Sequence, residues 1–260
     1  MNDTENLKEI KVKNENAPIK LEDVLDGVAA RPPKKKEKAI SSGGNISYAQ
    51  ELKRKSIHLL SLSIPVAYVF LDRSFALSIL APLALLAIAV DLASKKVPAI
   101  HDLFFKVFGP MMRKHEKKKN RLLLNGASWV LISACLMVIF FPKTYVVVGF
   151  TILIFADIAA ALIGRRYGKT PLFNKSWEGT SAFIITALIV VAIYGQLFSA
   201  PFEYFVIASI AAIAAGFAEA AAKKIKMDDN LSIPLAFCLV MTFGEMIISA
   251  FGLSISRLIQ

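Results

Sequence analysis

The sequence has 260 residues, of which 55% are hydrophobic, and its mean hydropathy is +0.54. It carries 31 Lys and Arg against 20 Asp and Glu. This composition excludes a soluble globular domain as the first interpretation, because repeated apolar stretches of about 18 residues or more are long enough to cross the core of a bilayer. The sequence therefore predicts an all-α, multi-pass membrane helical bundle.

The chain divides into a polar tail and an apolar remainder. Residues 1–50 have mixed charge and no sustained apolar period, so we predict a disordered cytoplasmic tail. Residues 51–260 predict one membrane-embedded domain. Within it we predict seven membrane spans, at about residues 57–71, 74–92, 126–142, 144–163, 181–199, 204–222 and 232–253.

Between the second and third spans, residues 97–112 mix apolar and charged side chains with the spacing of an amphipathic helix at the membrane interface. The basic cluster that follows, residues 113–121, has no interleaved aromatic side chains. We therefore predict that it contacts anionic lipid headgroups and not nucleic acid.

The basic residues predict the orientation, because cytoplasmic segments retain Lys and Arg. If the N-terminus is cytoplasmic, every Lys and Arg falls on the inner side except Arg73, Lys143 and Arg257. An even number of spans breaks this alternation, so we predict seven spans and an integral membrane protein with its polar clusters facing the cytoplasm.

The most informative of these clusters runs from residue 156 to residue 180. Asp157 lies inside an apolar helix, about 10 Å before its cytoplasmic end at 1.5 Å per residue. An ionised carboxylate at that depth is a candidate functional group. Small residues at Ala160, Ala161 and Gly164 share its helix face, so this face can admit a neighbouring helix or a ligand.

A loop rich in glycine and cations follows Asp157. Its polar and glycine residues are Arg165, Arg166, Gly168, Lys169, Lys175, Ser176, Glu178 and Gly179. Cations and loop amides suit the oxygens of a polyphosphate, and carboxylates suit the divalent metal that accompanies it. The alternative is an ordinary basic inner loop beside a helix-packing stripe.

Two further polar segments lie on the same predicted face. Glu51, Arg54, Lys55 and His58 share one helical face, either as phosphate ligands or as a Glu–Lys pair with snorkelling cations. Glu219 and Asp229 are candidate metal ligands; Asp229 is also well placed to cap the last span. Convergence of separate polar segments is typical of a site.

These residues resemble the CTP-dependent lipid kinases, the family that includes dolichol kinase, phytol kinase and CTP-dependent diacylglycerol kinase. Glu51, Arg54, Lys55 and His58 are similar to its E-x-x-R-K-x-x-H pattern. The family pattern D-x-x-A-x-x-x-G-x-x-x-G is similar to the stretch that contains Asp157, Ala160, Gly164 and Gly168. The pattern K-T-x-E-G is similar to Lys175, Ser176, Glu178 and Gly179, with Ser176 in place of Thr. Glu219, Asp229, Asn230 and Pro234 match a later E…D-N…P element.

The resemblance implies transfer of the γ-phosphoryl group of CTP to the hydroxyl of a membrane lipid, a polyprenol-type alcohol or diacylglycerol. The implied nucleotide or phosphate ligands are Arg54, Lys55, His58, Gly164, Gly168, Lys169, Lys175, Ser176 and Gly179. Asp157, Glu219 and Asp229 are expected to hold Mg²⁺, while Asp157, Lys175 and Glu178 are expected to act in catalysis, with Glu178 as a base or a further metal ligand.

Two other functions remain open. Phosphatidate cytidylyltransferases are similar over Asp157 to Gly179, but this chain lacks their longer C-terminal signature after Asn230. A small transporter is the non-enzymatic alternative, although it predicts acids spread through the depth of the bilayer rather than at one face. The organism is not given by the sequence, so the membrane is either a bacterial inner membrane or that of the endoplasmic reticulum or plastid.

Overall fold

The computed structural model describes residues 48–98, 102 and 124–252. The predicted tail up to residue 47, the basic cluster at residues 113–121 and most of the predicted interfacial helix at residues 97–112 lie outside the described residues. All the residues discussed below belong to one compact unit, Ala39–Gln260.

The described part of the chain is a helical bundle with one short hairpin. Five of its helices, α3 and α5 to α8, are long and apolar enough to span a membrane, and α4 is a shorter apolar helix. The helices are α1 (Tyr48–Leu60), α2 (Ser63–Phe70), α3 (Arg73–Lys96), α4 (Gly126–Phe140), α5 (Lys143–Tyr167), α6 (Trp177–Leu197), α7 (Phe202–Ala221) and α8 (Asp229–Ser249). The prediction of an all-α membrane protein is confirmed, whereas the count of seven spans and the side of the N-terminus stay predictions.

The first predicted span is not one continuous helix. It is divided between α1 and α2 by a turn at residues 61–62. Pro65 explains the interruption, because proline has no amide hydrogen to donate to the carbonyl of Ser61 and its ring crowds that carbonyl. The Ser61 carbonyl instead accepts from the Ile64 amide at 3.0 Å. The regular α-helical hydrogen bonds are therefore interrupted four residues before this proline.

Helix α5 forms the centre of the bundle. Every residue from Thr144 to Ile154 is buried, and α5 packs against α2, α6 and α8. A helix that is apolar on all sides is typical of a protein core or a membrane span. Asp157 follows this buried stretch on the same helix and is itself only 5% exposed.

Opposite ends of α5 define two ends of the bundle. At its N-terminal end, Arg73 donates to the Phe141 carbonyl at 2.9 Å and Lys143 donates to the Val69 carbonyl at 3.4 Å. These bonds join the α2–α3 connection to the α4–α5 connection. We call this the far end, and the end that contains Asp157 the site end.

Asp91 ties two helices together at the site end. Its carboxylate accepts from the Asn125 amide at 2.8 Å and from the Ser128 hydroxyl at 2.7 Å, while Asn125 caps α4 through the Ser128 amide. Asp91 is only 2% exposed, so the charge is balanced by hydrogen bonds instead of water. The start of α4 is thereby fixed beside the end of α3.

Candidate active site

A cavity at the site end collects residues from four helices and the hairpin. It leaves about 30 Å³ for the centres of water molecules, roughly enough for two waters. Its lining residues are Glu51, Arg54, Asp157, Ala160, Ala161, Gly164, Arg165, Lys175, Ser176, Gly179, Glu219 and Lys223.

Helix α1 supplies the cations that face Asp157. The Lys55 ammonium donates a hydrogen bond to the Asp157 carboxylate, and both side chains are buried. The His58 Nε2 lies 3.9 Å from the same carboxylate. The ammonium partner of Asp157 on α1 is therefore Lys55.

Lys175 forms the second lysine and carboxylate group. It belongs to strand β2 (Lys175–Ser176), which pairs antiparallel with β1 (Pro171–Leu172). Its ammonium donates to Glu219 and lies 3.9 Å from the Asp229 carboxylate. Burial lowers the pKa of Lys175, but Glu219, Asp229 and Asp157 together raise it above its ordinary value. The lysine therefore stays charged between acids from α5, α7 and α8.

Glu51 is the centre of a third ionic group. One carboxylate oxygen accepts from Arg54 at 2.5 Å, and the other accepts from Arg165 at 2.9 Å. Burial raises the pKa of Glu51. The positive charges of Arg54, Lys55 and Arg165 lower it by a larger amount, so the pKa lies below its ordinary value. The ionised carboxylate links α1 to the end of α5.

The glycines of the predicted nucleotide-binding stretch allow the main chain to pack closely against neighbouring atoms. A Cβ atom on Gly179 would lie 3.0 Å from the Ala160 carbonyl oxygen, and one on Gly164 would lie 3.3 Å from the Gly179 Cα. At Gly168, a Cβ atom would lie 2.2 Å from the Gly164 carbonyl oxygen. Glycine lets the backbones of α5 and α6 approach at the cavity. Ser176 caps α6 by accepting from the Gly179 amide at 3.2 Å.

Six of the predicted site residues do not line the cavity: Lys55, His58, Gly168, Lys169, Glu178 and Asp229. Glu178 accepts from the Thr170 amide with both of its oxygens, at 3.1 and 3.3 Å, and so holds the loop before the hairpin. Lys169 is exposed. The geometry gives no support to a base or metal role for Glu178 in this arrangement.

The acids do not form a preassembled metal site. Among the described residues, no group of three His, Cys, Asp or Glu side chains is arranged to hold a metal ion. The acids predicted as metal ligands, Asp157, Glu219 and Asp229, face lysines instead. One observation does fit a metal: the buried Glu219 Oε2, in the cavity lining, has no hydrogen-bond partner among the described residues.

Two cations of the cavity lining, Arg165 and Lys223, are not among the predicted nucleotide or phosphate ligands. Arg165 was predicted only as part of the basic loop, and Lys223 follows Ala222 at the end of α7. The signal for Arg165 is its spacing, because it lies eight residues after Asp157 and about two turns further along α5. Its partner Glu51 is 114 residues away and could not be found from local spacing.

Comparison with known proteins supports the same region. An uncharacterized protein of Rickettsia prowazekii is 30% identical over 194 residues, which are 74% of this chain and 93% of that protein. CTP-dependent diacylglycerol kinase 1 of Schizosaccharomyces pombe is 30% identical over 155 residues, covering 53% of this chain and 66% of the kinase. Phytol kinase of Synechocystis is 28% identical over 107 residues, covering 39% and 45%.

The fold and the site thus define a membrane-embedded bundle with an ionic cavity at one end, and its relatives include lipid kinases. The chain belongs to the CTP-dependent lipid kinase family. It spans less than two thirds of the length of the named kinases that it matches. No family model and no solved structure matches the chain.

Proposed function

We propose that the protein is a CTP-dependent kinase that phosphorylates the hydroxyl of a membrane lipid. The observation that carries this proposal is the convergence of four distant segments on one cavity that contains both cations and carboxylates. Phosphoryl transfer depends chiefly on positioning and charge neutralisation, and these residue types supply both. The names of two relatives, CTP-dependent diacylglycerol kinase 1 and phytol kinase, support this class of reaction.

The nucleotide phosphates are proposed to bind Arg54, Lys55 and Lys175. The predicted nucleotide site also contains three side chains, those of His58, Lys169 and Ser176, and the backbone at Gly164, Gly168 and Gly179. Arg54, Lys55 and Lys175 all hold carboxylates in the present arrangement: Arg54 binds Glu51, Lys55 binds Asp157, and Lys175 binds Glu219. We propose that each lysine transfers its bond from a carboxylate to a phosphate oxygen, so the ionic pairs mark where the nucleotide is expected to bind.

Asp157, Glu219 and Asp229 are proposed to hold Mg²⁺ together with the nucleotide. Mg²⁺ is commonly bound by one or two carboxylates plus substrate phosphates, so the absence of a three-ligand group among the described residues is compatible with a metal that arrives with CTP. The unpartnered Glu219 Oε2 supports this assignment. The ion would neutralise charge on the β- and γ-phosphates.

In the proposed reaction the lipid oxygen bonds to the γ-phosphorus, the bond to the bridging oxygen breaks, and CDP leaves. The hydroxyl proton passes to a carboxylate of the cavity, for which the buried Asp157 is the proposed acceptor. The acceptor is a polyprenol-type alcohol, such as dolichol or phytol, or diacylglycerol.

We also propose the placement of the protein in the membrane. Helices α1 and α2 together lead from the site end to the far end, and with α3 to α8 they give seven crossings and a cytoplasmic N-terminus. The supporting observation is that Val69, at the end of α2, is bonded at the far end, whereas Lys55 on α1 binds Asp157 at the site end. The site end is then cytoplasmic, and residues 113–121 face the headgroups of that leaflet.

The test uses purified protein in detergent with Mg²⁺, lipid acceptors, and CTP labelled separately at the α or the γ phosphate. Label passing from the γ position to the lipid supports the kinase. Label passing from the α position, with release of pyrophosphate, identifies a phosphatidate cytidylyltransferase instead. Transfer of neither label, together with nucleotide-independent flux in proteoliposomes, identifies a transporter.

A further inference from the structure

The cavity holds two guanidinium groups on opposite sides of one buried carboxylate. Glu51 is 2% exposed and binds Arg54 from its own helix and Arg165 from α5. Both arginines line the cavity. Like charges repel, so without Glu51 between them these two groups would separate. The carboxylate therefore brings two cations together beside an open space.

The group has one more positive than negative charge, and part of its hydrogen-bonding capacity is unused. The Arg54 Nε is buried and has no acceptor among the described residues. A buried donor without an acceptor is unfavourable, and an anion in the cavity would supply one. A guanidinium offers five donors in a planar fork, so it can bind a carboxylate along one edge and a phosphate along another.

The position of the group indicates which anion it binds. Arg165 lies eight residues beyond Asp157 on α5, roughly 12 Å toward the end of the bundle. Asp157 adjoins the apolar bundle, so a lipid hydroxyl is expected on that side, whereas Arg165 lies in the last turn of α5. A polyphosphate that extends from the aqueous side to Asp157 would pass Arg54 and Arg165.

We infer that Arg54 and Arg165 form a clamp for the polyphosphate of the nucleotide, and that Glu51 is the positioning residue that holds the clamp together. This inference rests on the proposed function and adds Arg165 and Glu51 to its machinery. It assigns Glu51 an indirect role, because a carboxylate cannot itself attract phosphate. Removing its negative charge by substitution should therefore weaken nucleotide binding through loss of geometry.

The first experiment compares Arg165→Gln with Arg166→Gln in the full chain, reconstituted in nanodiscs. Arg166 is the matched control, since it is exposed and lies over the Tyr167 ring at 5.4 Å. Equilibrium binding of CTP and CMP is measured. We expect Arg165→Gln to weaken CTP binding about tenfold or more and CMP binding little, as loss of a charge-assisted phosphate contact implies. Arg166→Gln should bind both nucleotides like the parent protein.

The second experiment separates positioning from direct electrostatics. Glu51→Gln removes a negative charge near the phosphates, so a purely electrostatic effect would tighten CTP binding. The clamp predicts weaker binding by Glu51→Gln and partial recovery in Glu51→Asp, which retains the carboxylate. Tighter binding by Glu51→Gln overturns the positioning role.

The outcomes distinguish the clamp from the proposed function. Unchanged CTP affinity in Arg165→Gln, or a loss of CTP affinity confined to nanodiscs that contain phosphatidic acid, overturns the clamp and leaves the kinase proposal intact. If the parent protein binds inorganic triphosphate through Arg165 but does not bind CTP, the clamp stands and the kinase proposal fails. If it binds neither, both fail. Should Arg165→Gln not fold, Arg165→Lys, which keeps the charge but not the fork, replaces it and is expected to show an intermediate loss.

Discussion

Lys55 and Asp157 are separated by 102 residues in the chain and meet as a buried ion pair inside the bundle. The pair joins the first described helix to the central one. Burying two charges is unfavourable unless each compensates the other, so removal of either partner leaves an uncompensated charge. This pair therefore combines a structural role with the proposed catalytic one, and the two roles can be separated by mutation.

We expect Asp157→Asn to lower lipid phosphorylation by about 100-fold or more while the protein remains inserted, as for the loss of a metal ligand. Stability should also fall, because Lys55 is left unpaired. The double variant Lys55→Met with Asp157→Asn should recover most of the thermal stability and none of the turnover. Recovery of activity together with stability would assign the pair a purely structural role.

Asp91→Asn is the matched control for this prediction. Asp91 is equally buried and lies at the same end of the bundle, but it binds Asn125 and Ser128 and does not line the cavity. We expect a lower unfolding temperature and near-normal turnover per folded molecule. A turnover as low as that of Asp157→Asn would mean that any buried acid at this end is essential.

Gly168→Ala should disrupt the site through sterics alone. The added Cβ would lie 2.2 Å from the Gly164 carbonyl oxygen and 2.6 Å from the Ser176 Oγ, so the backbone has to move. We expect weaker CTP binding and a lower unfolding temperature. Gly126→Ala is the control, because its Cβ would meet only the Asn230 Nδ2, at an ordinary 3.5 Å. Equal behaviour of the two variants would contradict the packing role.

Glu51 predicts a specific dependence of stability on pH. Its pKa in the folded protein is below the ordinary value of 4.5, because the effects of Arg54, Lys55 and Arg165 outweigh that of burial. The ion pairs therefore contribute stability above about pH 4.5, and this contribution is lost as the pH falls through the lowered pKa. The unfolding temperature of Glu51→Gln should lie below that of the parent protein at pH 7, and the difference should close on acidification. A difference that is constant with pH would show that Glu51 titrates normally.

Glu178→Gln tests the predicted base role directly. The amide keeps an oxygen that can accept from Thr170, so we expect near-normal turnover, and Glu178→Ala should raise the KM for CTP modestly by loosening the loop. A loss of about 100-fold in Glu178→Gln at unchanged stability would restore Glu178 as the general base.

The proposed topology is tested by a reporter fused after Gln260. Seven crossings from a cytoplasmic N-terminus put this residue on the opposite side of the membrane, so a reporter active only outside the cytoplasm should be active. A reporter fused within the Pro171 to Lys175 hairpin should show the opposite compartment. A cytoplasmic reporter at Gln260 would contradict seven spans.

The helices could be predicted from the sequence more fully than the site could. Apolar run length gives the depth of each residue in the membrane, so the predicted 144–163 span falls within α5 and Asp157 was expected near one end. Run length does not give rotation about the helix axis or the identity of distant neighbours. Sequence spacing therefore could not show that Glu51 binds Arg165, that Lys175 binds Glu219, or that Glu178 turns toward Thr170. The break at Ser61 was missed because apolar composition continues across it, although Pro65 marks its cause.

The bonds of Arg73 and Lys143 have a consequence for access to the cavity. Arg73 and Lys143 are two of the three basic residues that the predicted topology does not place on the cytoplasmic side. Both donate to main-chain carbonyls at the far end, where Tyr145 and Tyr204 are fully buried. In the described part of the chain, that half of the bundle is filled by side chains such as Phe150, Phe237 and Met241. Among the described residues, the cavity therefore lies at the site end, with packed side chains between it and the far end. In the proposed reaction, the nucleotide would then enter and CDP would leave on the same side of the membrane.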